Sequence, residues 1–171
     1  MKKVIIGIVV VGASAFGYWT ISPLFLDKVV SESLEDIAEV SPERLSAQEP
    51  ETQTGKEPVD TSDVETIAVG TFTDVDGFHN GEGTVKVIKT GEKYFVRFED
   101  DFRVTNGPDL FVYFGKDGQY AKAALIGGLK GNIGSQNYEV PVDIDPTAFD
   151  EVWIWCRAFA QPFAHAKLGQ K

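Results

Sequence analysis

The chain has 171 residues, a formal net charge of −10 and a single cysteine. That length holds one modest core rather than several domains. The acidic balance leaves no basic stripe to replace phosphate counterions, so nucleic acid is excluded as a partner, and the lone cysteine excludes a disulfide within the chain.

Met1-Lys2-Lys3 precedes an uncharged apolar run from Val4 to Leu26. Such a run is long enough for a helix across a hydrocarbon core of roughly 30 Å. It predicts a signal-anchor over residues 1–26, with the membrane as a partner through residues 4–26. The lysines before it and Asp27 after it predict a single-pass protein of the cell membrane, N-terminus cytoplasmic and C-terminal domain extracytoplasmic. Ala13-Ser14-Ala15 offers a rival reading, a signal peptide cleaved after Ala15. The apolar run continues past that site through Phe16, Trp19 and Phe25, which favours retention.

The acidity is concentrated next. Residues 27–65 hold twelve acidic and three basic side chains. Val30, Leu34 and Ile37 recur at helical spacing and predict a short helix at the start. Beyond Val40, prolines recur and aromatics are absent, so this stretch buries too little apolar surface to offset ordering. Residues 27–65 therefore read as an acidic flexible stalk.

Residues 66–171 read as an all-β domain. Strands are predicted over 66–72, 83–89, 94–98, 109–114, 136–140 and 151–156, with Thr90-Gly91-Glu92 turning one hairpin. Glycine and aspartate punctuate the intervals. No amphipathic stretch persists long enough for βαβ units. Two antiparallel sheets packed face to face, a β-sandwich, fit the spacing best; a small closed barrel is the alternative.

Period two puts Val152, Ile154 and Cys156 on one face of the last predicted strand and Trp153, Trp155 and Arg157 on the other. From pattern alone a buried, inert thiol leads, because free cysteine is commonly buried. An activated thiol needs nearby positive charge or a metal, and Arg157 points to the opposite face. His79 lies in the glycine-flanked loop Asp76–Gly83, where an anchoring hydrogen bond is the leading role. His165 lies near the C-terminus. His79, Cys156 and His165 supply three ligands for zinc or copper, but their spacing carries no signature. A C-x-x-C-H haem motif, a Walker motif and a Gly-x-Ser-x-Gly elbow are all absent.

Several segments in order carry a resemblance: Gly70-Thr-Phe, His79 with Gly81-Glu-Gly83-Thr-Val, Tyr94 through Tyr113 with its Asn-Gly-Pro-Asp-Leu, Leu129-Lys-Gly-Asn-Ile-Gly-Ser-Gln-Asn-Tyr-Glu-Val-Pro141, and Val152-Trp-Ile-Trp-Cys156. Over residues 66–168 the chain resembles the DM13 domain family, in its membrane-anchored prokaryotic form. The resemblance implies a β-sandwich with electron-transfer or redox function, Cys156 as the redox residue and His79 as its partner. A cofactor, haem or a transition metal, is compatible with that role, though no motif names one. A lone thiol changes redox state only with a second molecule, so a redox partner or envelope protein is implied.

Two functions follow. The first is an extracytoplasmic electron-transfer module centred on Cys156. The alternative is a non-catalytic, surface-tethered β-sandwich that binds a protein or envelope glycan through exposed aromatics such as Trp155. Turnover of a small substrate ranks third.

Overall fold

The computed structural model describes residues 26–38 and 64–170 of the chain. Ten strands follow one another: β1 Val64–Thr73, β2 Gly81–Glu82, β3 Thr84–Thr90, β4 Lys93–Phe98, β5 Arg103–Val104, β6 Leu110–Lys116, β7 Gln119–Gly128, β8 Gln136–Glu139, β9 Glu151–Cys156 and β10 Gln161–Gln170. Eight of them form one antiparallel sheet in the order β7-β6-β9-β10-β1-β3-β4-β8, while β2 and β5 pair separately.

The sandwich expectation is thereby corrected. β1 pairs with both β10 and β3, and β9 pairs with both β6 and β10, so no break divides the strands into two sheets. The sheet curls instead into a half-barrel. Register shifts at Thr66/Ala68, Pro162/Ala164 and Val112/Tyr113 mark bulges, which bend and twist a sheet locally. Pro162 sits at one of them, where a missing N–H is tolerated. Just past β7, the Lys130 amide donates to Tyr138 Oη of β8 at 3.0 Å.

The concave face is the core. Phe72, Phe98 and Phe102 meet there with ring centroids 4.5–5.1 Å apart. Val85, Val87, Val96, Val112, Phe114, Val152, Ile154 and Cys156 complete it from both halves of the sheet. Strand β10 contributes only small side chains at its centre, Ala164 and Ala166, both fully buried.

Residues 26–38 are a strap laid on this domain. Val29 bridges Ile133 in parallel. Val30 N donates to Ile133 O at 2.9 Å and Glu32 N to Ser135 O at 3.0 Å. The strap ends in one helical turn, α1 Glu35–Ala38, which Ser33 and Asp36 cap by exchanging side-chain and backbone hydrogen bonds. That turn seats Ile37 against Ile88 and Phe95, with Val64 of β1 packed on the same cluster. The start of the acidic segment is therefore part of the folded body; residues 39–63 lie outside the described residues.

The anchor expectation is corrected as well. Among the described residues no helix is long and apolar enough to cross a membrane. Residues 1–25, on which the span, the membrane contact, the single-pass topology and the cleavage site all rest, lie outside the described residues. Leu26, the last residue of the expected span, instead begins the strap: its carbonyl oxygen accepts Asn106 Nδ2 at 2.6 Å.

Candidate functional site

Cys156 is the last residue of β9, paired with Leu110 of β6 and Gln161 of β10. Alternation along Val152, Ile154 and Cys156 turns the thiol into the core, where it is 0% exposed and free. The strand is followed by the turn Arg157–Ala160, whose four residues are all exposed. Arg157 goes the other way, as period two requires. Its guanidinium lies 3.5 Å from the Phe111 ring centroid, and its Nε donates to Tyr113 Oη at 2.7 Å. No cation from Arg157 therefore reaches the thiol.

His79 is anchored by its own loop. Its Nδ1 lies 2.7 Å from Asp76 Oδ2, while the Phe78 and His79 amides donate to Asp76 Oδ1 at 2.7 Å each. The His79 side-chain bond, followed by these two amides, lowers the Asp76 pKa to about 2. On its other side the His79 ring packs on Phe163, centroid to centroid 4.2 Å. Phe163 belongs to the same core cluster as Cys156. His79 thus packs on a member of the core cluster that holds Cys156, and no direct bond joins the two residues.

His165 lies on the opposite face of the sheet from Cys156. It pairs with Trp153 across β9 and β10 and stacks on that indole at 4.8 Å and 21°. Its Nδ1 is buried without a partner. Among the described residues no three His, Cys, Asp or Glu side chains come together to hold a metal ion. His79, Cys156 and His165 are accordingly not a ligand set. A cavity of about 950 Å³ between Tyr94 and Thr147 is lined by none of the three. The residues present do not fit a resident haem or transition metal at Cys156.

The outer face of β6, β7 and β9 carries an aromatic cluster. Tyr120 stacks on Trp155 at 4.0 Å and meets Tyr113 at 5.3 Å. Trp153 Nε1 donates to the buried carboxylate of Glu151 at 2.9 Å. Gly115 makes room for that indole, since a Cβ there would stand 2.3 Å from the Trp153 ring. The alternation Glu151, Trp153, Trp155 was the available signal, and it places the carboxylate beside the indole two residues on.

The family described as Electron transfer DM13 matches residues 71–168, from near the end of β1 to near the end of β10. The chain belongs to the DM13 family. The match spans both candidate residues, Cys156 and His79, and excludes the strap. No curated protein and no solved structure matches the chain. DM13 membership makes this an electron-transfer type of domain.

Proposed function

We propose that this DM13 domain carries electrons through the thiol of Cys156, shut in the resting fold and uncovered by opening of the β9–β10 turn. The observation that supports the reading is the thiol's position, one residue from an exposed turn in a domain of an electron-transfer family. Cys156 is also the only sulfur among the described residues. Ala160 in that turn takes a left-handed φ of 49°, a region that L side chains adopt with strain. Its amide reaches Arg157 O only at 3.4 Å. Strand ends so held open at lower free energy than the whole domain.

Once uncovered, the thiolate attacks a disulfide of the partner. A bond forms between Cys156 Sγ and one partner sulfur, the other departs as a thiolate, and the thiol proton goes to solvent. A separate dithiol donor then attacks Cys156 Sγ and releases the first partner fully reduced; the donor's second thiol displaces Cys156, leaving the donor as a disulfide and Cys156 as a thiol. A lone thiol forms no disulfide within the chain, so the oxidant and the reductant are both other molecules. His79 has the supporting role: with Nδ1 committed to Asp76, only Nε2 remains for a proton or for the partner.

The test is the rate of reaction of native protein with an aromatic disulfide reagent across low denaturant concentrations. The expected result is one slow thiol per chain whose rate depends weakly on denaturant, and none in Cys156→Ser. A rate that follows global unfolding with its full denaturant dependence would sink the reading and leave Cys156 as a core residue.

A second reading, a binding module for a protein or glycan, is favoured by the Tyr120–Trp155 stack, which is half-buried on the face opposite Cys156. It predicts that Trp155→Ala abolishes partner capture and that Cys156→Ser leaves it intact.

A further inference from the structure

The strap stands to the domain as a peptide ligand stands to its groove. Its partners in residues 129–137 lie inside the family match, while the strap itself lies outside residues 71–168. Backbone pairing with Ile133 and Ser135 supplies an extended, parallel docking mode, the strand-addition form of peptide recognition. Pairing of that kind is tolerant of sequence; side chains at the two ends supply the selectivity.

At one end, Lys130 Nζ donates to both carboxylate oxygens of Glu32 at 2.8 Å. The Asn137 amide donates to Glu32 Oε2 at 2.7 Å. Two donors from the domain thus converge on one carboxylate, and charge-assisted bonds of this type are the stronger ones. At the other end, Asn132 Oδ1 accepts from Lys28 N at 2.7 Å and its Nδ2 donates to Asp27 Oδ1 at 2.8 Å. The side-chain amide reads one backbone N–H and one carboxylate together.

Between these ends the groove floor is glycine. A Cβ on Gly131 would stand 2.3 Å from Lys28 O, and one on Gly134 would stand 2.2 Å from Val30 O. Gly134 also has a φ of +90°. The floor admits a strand backbone only because side chains are missing there.

We propose that the 129–137 groove is a recognition site for an extended acidic peptide, one with carboxylates at the spacing of Asp27 and Glu32. The chain's own strap is its resident occupant, and a separate peptide of the same pattern takes its place. The glycine–amide segment of the domain is therefore a binding element and not only a loop.

The test uses the full chain carrying Glu32→Ala and Ile37→Ala, which weakens its own strap, and a fluorescein-labelled peptide of sequence Leu26–Ala38 followed by anisotropy. The expected result is saturable binding to this variant and at least about tenfold weaker binding to the wild-type chain. The tethered strap there competes at an effective concentration on the order of millimolar. Glu32→Ala in the peptide, or Lys130→Ala added to the variant, is expected to weaken binding by about tenfold or more, in line with loss of a charge-assisted contact. Equal binding to wild type and variant, or equal binding of the Glu32→Ala peptide, overturns the site. Loss of the near-ultraviolet circular dichroism in the variant also overturns it, because the strap is then a structural strand of the domain. As an independent measurement, the wild-type chain is cut by protease within residues 39–63. The strap fragment is expected to stay bound and then exchange for labelled peptide, and a fragment that never exchanges sinks the proposal.

Discussion

Tyr138 ties β8 to the segment that follows β7. Its hydroxyl donates to Gln136 Oε1 at 2.6 Å and accepts from Lys130 N at 3.0 Å, while its ring packs on Phe98. Burial, aided by the charge of Glu32 and opposed by the Lys130 amide, pushes its phenol far above the ordinary tyrosine value. The folded state thus prefers the protonated phenol. This contribution to stability is full below about pH 10, the unfolded tyrosine value, and is lost as pH rises above it. Tyr138→Phe is expected to cost about 1–3 kcal/mol, because the Lys130 N–H and Gln136 Oε1 lose their partner. Chemical denaturation at pH 7 measures the loss, and phenolate absorbance in the wild type is expected to include this residue only as the fold is lost. Asp76 has the opposite sign. Its folded pKa of about 2 lies below the ordinary value of 3.8, so the contribution is present above pH 3.8 and disappears as pH falls through about 2. Carboxyl NMR titration of Asp76 checks this, and His79→Ala is expected to return the midpoint toward the ordinary value.

Strands differ in how openly their residues declare them. β3, β4, β6 and β9 are rich in β-branched and aromatic side chains, which favour strands, and their alternation fixed the inward side of Cys156. β7 and β10 were missed. Ala121, Ala123, Ala124, Ala164 and Ala166 carry weak strand preference, although Ala164 and Ala166 sit in the same core cluster as Phe72 and Phe163. Ala164, Ala166 and Leu168 alternate with His165 and Lys167 at period two, but alanine is a weak strand signal. The covering of the outer face was equally silent, because Gly115 and Trp153 meet only after β6 and β9 pair. Gly115→Ala would press a methyl group onto Trp153 and toward Gln119 O. The indole must then turn from Glu151. We expect a loss of about 1–3 kcal/mol, the usual cost of overpacking, together with a change in tryptophan emission. Unchanged emission and stability would show that the indole has room.

Across the whole molecule, residues 27–38 at the start of the acidic segment pack on the domain. Composition alone made residues 27–65 a spacer, and no local pattern could have revealed the strap, because Glu32 meets its partners about a hundred positions later in the chain. The domain resemblance was legible in ordered motifs; the groove that those motifs build was not, because its purpose appears only with the strap in place. Ile37 and Val64 pack on one cluster with Ile88 and Phe95, so the described residues on either side of 39–63 meet at nearly the same place. Shortening residues 39–63 should then matter little. Halving such a connection changes closure by only about 0.6 kcal/mol, and deletion of residues 45–58 is expected to leave the unfolding midpoint almost unchanged. Ile37→Ala removes a side chain that is 1% exposed and is expected to cost about 2–4 kcal/mol. Paired denaturation curves of the two variants decide the layout. A deletion as damaging as Ile37→Ala would mean that residues 39–63 hold the strap in place, while a harmless deletion beside a costly Ile37→Ala would mean that the Ile37 contact, and not residues 39–63, seats the strap.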